Sequence, residues 1–355
     1  MTDPPHDFSW QGIRLRVPSE WELGRVDGDA ASGYARLDDA RMVRAEVEWR
    51  AAPVRGARRP VEDLVNRYIE QLQKKADKSG MDFSVQRRAK FLHDKRWLEG
   101  SEYETFIWEA DYRAYNLARA CPDCQRIVLL RVLAPVGENA EALVNEVLPS
   151  LEDHPRESDA GQTFWSVYGM RFLTPPDYTL SEHQLKSGHI RLNFEKDRGD
   201  RVLRVHRLSM AQMLLRNQQL ADWFPAFFHK DLRDFKHVVT AEDVHGQGHE
   251  HGHNIVSVRG GPRSRWRQIL RPLPLVNPRP RRHLQGAVWH CPEQNRICVV
   301  EHLSKKPLEG GDDLLKRMID GYVCHPQQTS TDTRGDDGLS SRTQRHAGVG
   351  EDSDR

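Results

Sequence analysis

The chain has 355 residues, room for two domains of ordinary size. Its 53 basic and 52 acidic residues nearly cancel, leaving a formal net charge of +1, which argues against a general attraction to nucleic acid or to an anionic membrane. No apolar run approaches the roughly 18–20 residues of a membrane span, the opening MTDPPHDFSWQG lacks the regions of a secretory signal, and five cysteines do not make a disulfide framework. The expected location is the reducing cytoplasm.

In chain order, Ile13, Leu15 and Val17 alternate with Arg14 and Arg16, a half-buried strand that Pro18 ends. Val43, Ala45, Val47 and Trp49 alternate with charged residues and form another. Pro60 then opens a helical stripe of Val61, Leu64, Val65, Tyr68, Ile69, Leu72 and Ala76. Strand character returns over Tyr103 to Tyr112, with Phe106, Trp108 and Ala110 on one face. Ile127 to Val132 is nearly all apolar, as expected of a central strand covered on both faces. Leu143, Val144, Val147, Leu148 and Leu151 make a second helical stripe.

The pattern then starts again. Gly12, Arg14, Pro18, Trp21 and Leu23 match Gly169, Arg171, Pro175, Tyr178 and Leu180 at a constant offset, and SGYARL (Ser32 to Leu37) matches SGHIRL (Ser187 to Leu192). CPDCQRIV (Cys121 to Val128) matches CPEQNRIC (Cys291 to Cys298), and NEVLPSLEDHP (Asn145 to Pro155) matches KRMIDGYVCHP (Lys316 to Pro326). Four blocks in one order, repeating over a whole domain's length rather than over the roughly 20–50 residues of a solenoid unit, indicate a tandem duplication. The expected architecture is two homologous α+β domains, residues 1–156 and 163–327. Each is an antiparallel sheet with flanking helices, and the pair is related by a pseudo-twofold axis. Residues 328–355 carry almost no large apolar side chain and are expected to be a disordered tail.

The opening GIRLRVPSEWEL, a strand closed by proline with an aromatic residue three positions later, resembles the start of PsbP-like domains. These α/β/α sandwiches are found in photosystem accessory proteins, nuclear-transport cofactors and bacterial lipoproteins. The resemblance covers the first strands of each copy and the order of elements. It implies a fold and a habit of assisting partners, and carries no catalytic set.

Cys121 and Cys124 have zinc-knuckle spacing, in which two thiolates hold one side of a tetrahedral ion. The repeat supplies His290 and Cys291, so one candidate zinc site joins Cys121, Cys124, His290 and Cys291 across the domain junction. The bland alternative is a turn feeding a central strand, with small buried cysteines. A redox role is disfavoured, because redox pairs sit at a helix N-terminus and this one precedes a strand. His245, His249, His251 and His253 lie in a glycine-containing tract read as a solvated loop, with divalent-metal binding as the alternative. Arg259 to Arg282 holds eight arginines and no acid. Arg259, Arg263, Arg265, Arg267, Arg271, Arg281 and Arg282 are therefore candidate ligands for an anion or nucleic acid.

No phosphate loop, GxSxG or HExxH is present in the sequence. The leading expectation is a non-enzymatic accessory or assembly protein that binds a protein partner and holds no obligatory cofactor. A zinc protein and an anion or nucleic-acid binder are the alternatives.

Overall fold

Two hairpins organise the structure. β1 (His6–Trp10) turns into β2 (Ile13–Val17), and β10 (Thr163–Val167) turns into β11 (Met170–Thr174). Each turn is two residues long, and both residues have positive φ: Gln11 and Gly12 in the first, Tyr168 and Gly169 in the second. This is the type I′ pattern, whose twist matches that of the flanking strands. β1 pairs antiparallel with β10, Ser9 opposite Ser166, giving a four-stranded sheet of order β11-β10-β1-β2. Across that seam the hydroxyl of Ser9 donates to the carbonyl of Phe164, and the hydroxyl of Ser166 donates to the carbonyl of Asp7.

The computed structural model describes residues 4–51, 60–156, 159–241, 252–263, 281–307 and 313–325. The described residues are mostly antiparallel sheet with a few helices, as expected. The tail, residues 328–355, lies outside the described residues, as do His245, His249, His251, Arg265, Arg267 and Arg271.

One seven-stranded sheet follows the first hairpin. Its strands are β3 (Glu22–Gly28), β4 (Ser32–Asp38), β5 (Val43–Ala51), β6 (Ser84–Arg87), β7 (Glu102–Glu109), β8 (Tyr112–Ala120) and β9 (Arg126–Pro135). The spatial order is β3-β4-β5-β9-β8-β7-β6. A second sheet follows the second hairpin: β12 (Thr179–Lys186), β13 (His189–Lys196), β14 (Arg201–Ser209), β15 (Phe235–Ala241), β16 (Ile255–Pro262), β17 (His283–Cys291) and β18 (Arg296–Ser304). Its order, β12-β13-β14-β18-β17-β16-β15, is the same order taken one sheet later. β9 and β18 are the middle strands of their sheets. Ile127 to Ala134 is buried without interruption, Arg131 included, which explains why the run is nearly all apolar.

The helices over the sheets include those that the periodicity predicts, and three more in the second half. α1 (Pro60–Ser79) lays Val61 and Val65 on Phe106, Ala118 and Leu129. In the second half that outer layer is built instead by α3 (Ala211–Leu215), α4 (Leu220–Phe227) and α5 (His229–Leu232), which bury Trp223, Phe224, Phe228 and Leu232. α2 (Glu141–Val147) and α6 (Asp313–Asp320) close the two halves and pack toward the hairpin sheet. The inner sheet faces, both hairpins, α2 and α6 share one large core, in which Trp10 and Trp165 meet edge to face at 5.4 Å. The chain through His325 accordingly packs as one compact unit. Among the described residues, no helix is long and apolar enough to cross a membrane.

Candidate metal centres

The turn between β8 and β9 is the first place where reactive side chains converge. Cys121 leaves β8, its amide donating to the carbonyl of Arg126 at 2.9 Å, and Gln125 takes a positive φ to re-enter β9. Opposite this turn, the chain leaving α2 pairs once with the hairpin. The Arg14 amide donates to the Glu152 carbonyl at 2.8 Å, and the Glu152 amide donates back at 3.0 Å. That bridge places the next two residues, Asp153 and His154, over the cysteines. His154 Nδ1 lies 3.6 Å from Cys121 Sγ and 3.0 Å from Asp153 Oδ1. The Cys124 thiol donates to Asp153 Oδ2 at 3.4 Å. The ligand atoms of Cys121, Cys124, Asp153 and His154 all lie within 4.8 Å of one another.

The second half builds the same junction from matching parts. Cys291 ends β17, Asn295 takes the positive φ, and Arg296 opens β18. After α6, Val323 pairs with Arg171 through two backbone hydrogen bonds, at 3.0 and 2.8 Å, and delivers Cys324 and His325. His325 Nδ1 lies 3.4 Å from Cys291 Sγ and 3.3 Å from Cys324 Sγ. The fourth member is His253, just ahead of β16, whose Nε2 is 3.1 Å from Cys324 Sγ. These four ligand atoms also fall within 4.8 Å of one another.

A shared support sits behind each group. Arg126 donates from Nη1 to the Asp153 carbonyl at 2.9 Å and packs on Gly12. Arg296 packs on Gly169 and donates to its carbonyl at 3.3 Å. A Cβ at either glycine would press on the guanidinium, 3.2 Å away at Gly12 and 2.3 Å at Gly169, so the hairpin glycines serve both the turn and this approach.

The donor atoms suit zinc. With Zn–S near 2.3 Å and Zn–N near 2.0–2.1 Å, a tetrahedral ion holds its sulfur and nitrogen ligands roughly 3.6 Å apart. The S···N distances here run from 3.1 to 3.6 Å. Both groups offer four protein ligands, the closed coordination of a structural site rather than the open one of a catalytic site. Three of these thiols, Cys124, Cys291 and Cys324, are held protonated by their surroundings. Burial, with Asp153 and Cys121 adding to it, pushes Cys124 up to about 12. Burial followed by neighbouring Cys324 does the same for Cys291, and a hydrogen bond with Cys298 followed by burial does it for Cys324. A bound divalent ion would displace those protons.

The residues expected to form one site across the junction are distributed differently. Cys121 and Cys124 come together, but with Asp153 and His154; Cys291 belongs to the other group. His290 precedes Cys291 on a strand, where successive side chains point to opposite faces, and it joins neither group. His253, expected in a solvated loop, is buried at 6% exposure. The signal that could have found the remaining ligands is the repeated Asp-His-Pro and Cys-His-Pro, which reads on its own as a helix ending.

Of the candidate arginines, Arg259, Arg263 and Arg281 are exposed. Arg263 donates to the carbonyl of Arg233, and Arg282 donates to that of Gly199 at 2.6 Å. Arg282 is therefore engaged in holding backbone. No family model matches this chain, and no curated protein matches it significantly.

Proposed function

We propose that this is a zinc-binding protein whose two halves, related by tandem duplication and a pseudo-twofold axis, each carry one tetrahedral ion. The observation that carries this reading is the recurrence of a four-ligand group at one place in both halves. That place is where the turn into the central strand meets the segment leaving the last helix. Cys121 and Cys291 occupy one corner, Asp153 and Cys324 the next, and His154 and His325 the third. The fourth comes from Cys124 in one half and His253 in the other.

In this reading the ions are clips. Each ties a hairpin turn to a chain segment about 30 residues away, Cys124 to Asp153 and Cys291 to His325. With all four positions held by protein, the sites leave no vacancy for a substrate, which favours a non-enzymatic accessory role. Five free cysteines support a reducing, cytoplasmic setting. A protein partner would have exposed large apolar side chains to cover in both halves, among them Tyr103 and Tyr112 in the first and Met210, Met213 and Phe227 in the second.

Elemental analysis of the purified full chain tests the reading. Two zinc ions per chain are expected, falling to one in Cys121→Ser and to one in Cys291→Ser. Less than about 0.2 zinc per chain, with stability indifferent to Cys121→Ser, would remove it.

A further inference from the structure

Resting on that zinc reading, we propose that the two sites hold their ions unequally. The first site, Cys121, Cys124, Asp153 and His154, is exchangeable with chelating ligands in solution; the second, His253, Cys291, Cys324 and His325, retains its ion.

Four observations separate them. The first is ligand chemistry. Zinc is borderline-soft, and beside two thiolates and one imidazole the first site gives it a hard carboxylate oxygen where the second gives another imidazole nitrogen. The second is charge. Two thiolates and a carboxylate around a divalent ion leave a net charge of about −1, whereas two thiolates and two imidazoles leave none. A buried charge is costly unless paired, and Arg126, which packs behind the first site, spends its hydrogen bonds on the carbonyls of Asp153 and Ala30. The third is access. In the first site Cys121 and Asp153 are buried but Cys124 is half-buried and the His154 side chain 41% exposed, whereas in the second only His325 is half-buried and Cys291, Cys324 and His253 are 0%, 1% and 6% exposed. A shallow recess lined by Gly12, Arg14, Glu152, His154, Asp159 and Phe164 opens beside the first site. The fourth is connectivity. The first site draws on two chain segments and the second on three, so losing the second ion releases more structure.

The exchange itself is ligand substitution. An incoming thiolate or nitrogen donor bonds to zinc as the Cys124 sulfur–zinc bond breaks. The departing thiolate takes a proton from water, and the ion leaves on the incoming ligands. No electron is transferred.

The test is release of zinc from the loaded full chain to excess 4-(2-pyridylazo)resorcinol, followed by absorbance. Two phases of equal amplitude are expected, separated by at least about tenfold in rate. Cys124→Ser should delete the fast phase, and Cys291→Ser the slow one. Asp153→Cys should keep two ions per chain and slow the fast phase by about tenfold, a result that general loosening of the fold cannot produce. Release of both ions in a single phase, or a fast phase that follows Cys291, overturns the inference and leaves the zinc reading intact. A chain that takes up no zinc overturns both.

Discussion

Single residues carry the joints of this molecule, and Gly169 is the most exposed to test. Its φ of +71° is unfavourable for other residues, and a Cβ would meet Arg296 Nη1 at 2.3 Å. Gly169→Ala should therefore cost about 1–3 kcal/mol in denaturant unfolding. Gly188 is a built-in control: it has no positive φ and nothing within 4 Å of an added Cβ, so Gly188→Ala should stay within about 0.5 kcal/mol.

His189 gives a second prediction at this scale. Its ring meets His206 at 3.0 Å and lies against Phe227 and Phe228. Burial first, then the charges of His206, Arg191 and Lys186, lowers its pKa to about 4. As the pH falls below about 6.5 the unfolded chain takes up a proton that the folded chain refuses. Stability should thus decline from near pH 6.5 toward pH 4, by less than about 1.4 kcal/mol per pH unit for a ring that is partly exposed. His189→Asn should flatten that part of the pH–stability curve; an unchanged slope would show that the ring titrates normally.

Elements were legible in the sequence to the extent that their patterns are local. The stripe from Val61 to Ala76 predicts α1, and the apolar run from Ile127 to Val132 predicts the middle strand β9. The stripe through Leu151 runs past α2, because Pro149 and the bridge at Glu152 end the helix earlier and turn the chain toward Arg14. Tyr103 to Tyr112 reads as one strand, yet Ala110 caps a tight connection between β7 and β8, its amide donating to the Tyr112 carbonyl. The candidate metal centres were half legible. Cys121 and Cys124 announce a candidate ligand pair by spacing, whereas Asp153, His154, Cys324 and His325 join the two groups only through pairings with a hairpin far away in sequence. His253 carries no positional signal, since the tract preceding it reads as solvated. At this scale the contact of α1 with its sheet is testable. Phe106, fully buried between Val61, Val65 and Leu129, should cost about 3–5 kcal/mol when replaced by alanine, read from equilibrium unfolding.

The whole molecule is more integrated than a pair of tethered domains. β1 and β10 belong to one sheet, and Trp10 rests on Trp165 and on His183. Residues 1–156 produced alone would leave β1 unpaired on one edge and strip the cover from Trp10, so the fragment should aggregate or fail to give a cooperative thermal transition. A soluble fragment with a sharp transition would show instead that the first half is self-sufficient. The proposed zinc ions belong to the same scale: each would fasten its sheet's middle hairpin to the chain that carries α2 or α6 onto the shared core.

The central claim, one tetrahedral thiolate site in each half, is tested most directly by titrating the reduced, metal-free full chain with cobalt(II) while recording visible absorption. The account predicts the intense d–d bands of tetrahedral cobalt–thiolate centres, saturating at two equivalents, with half the amplitude remaining in either Cys121→Ser or Cys291→Ser. Saturation without such bands, or a full amplitude that survives the loss of both cysteines, would contradict it.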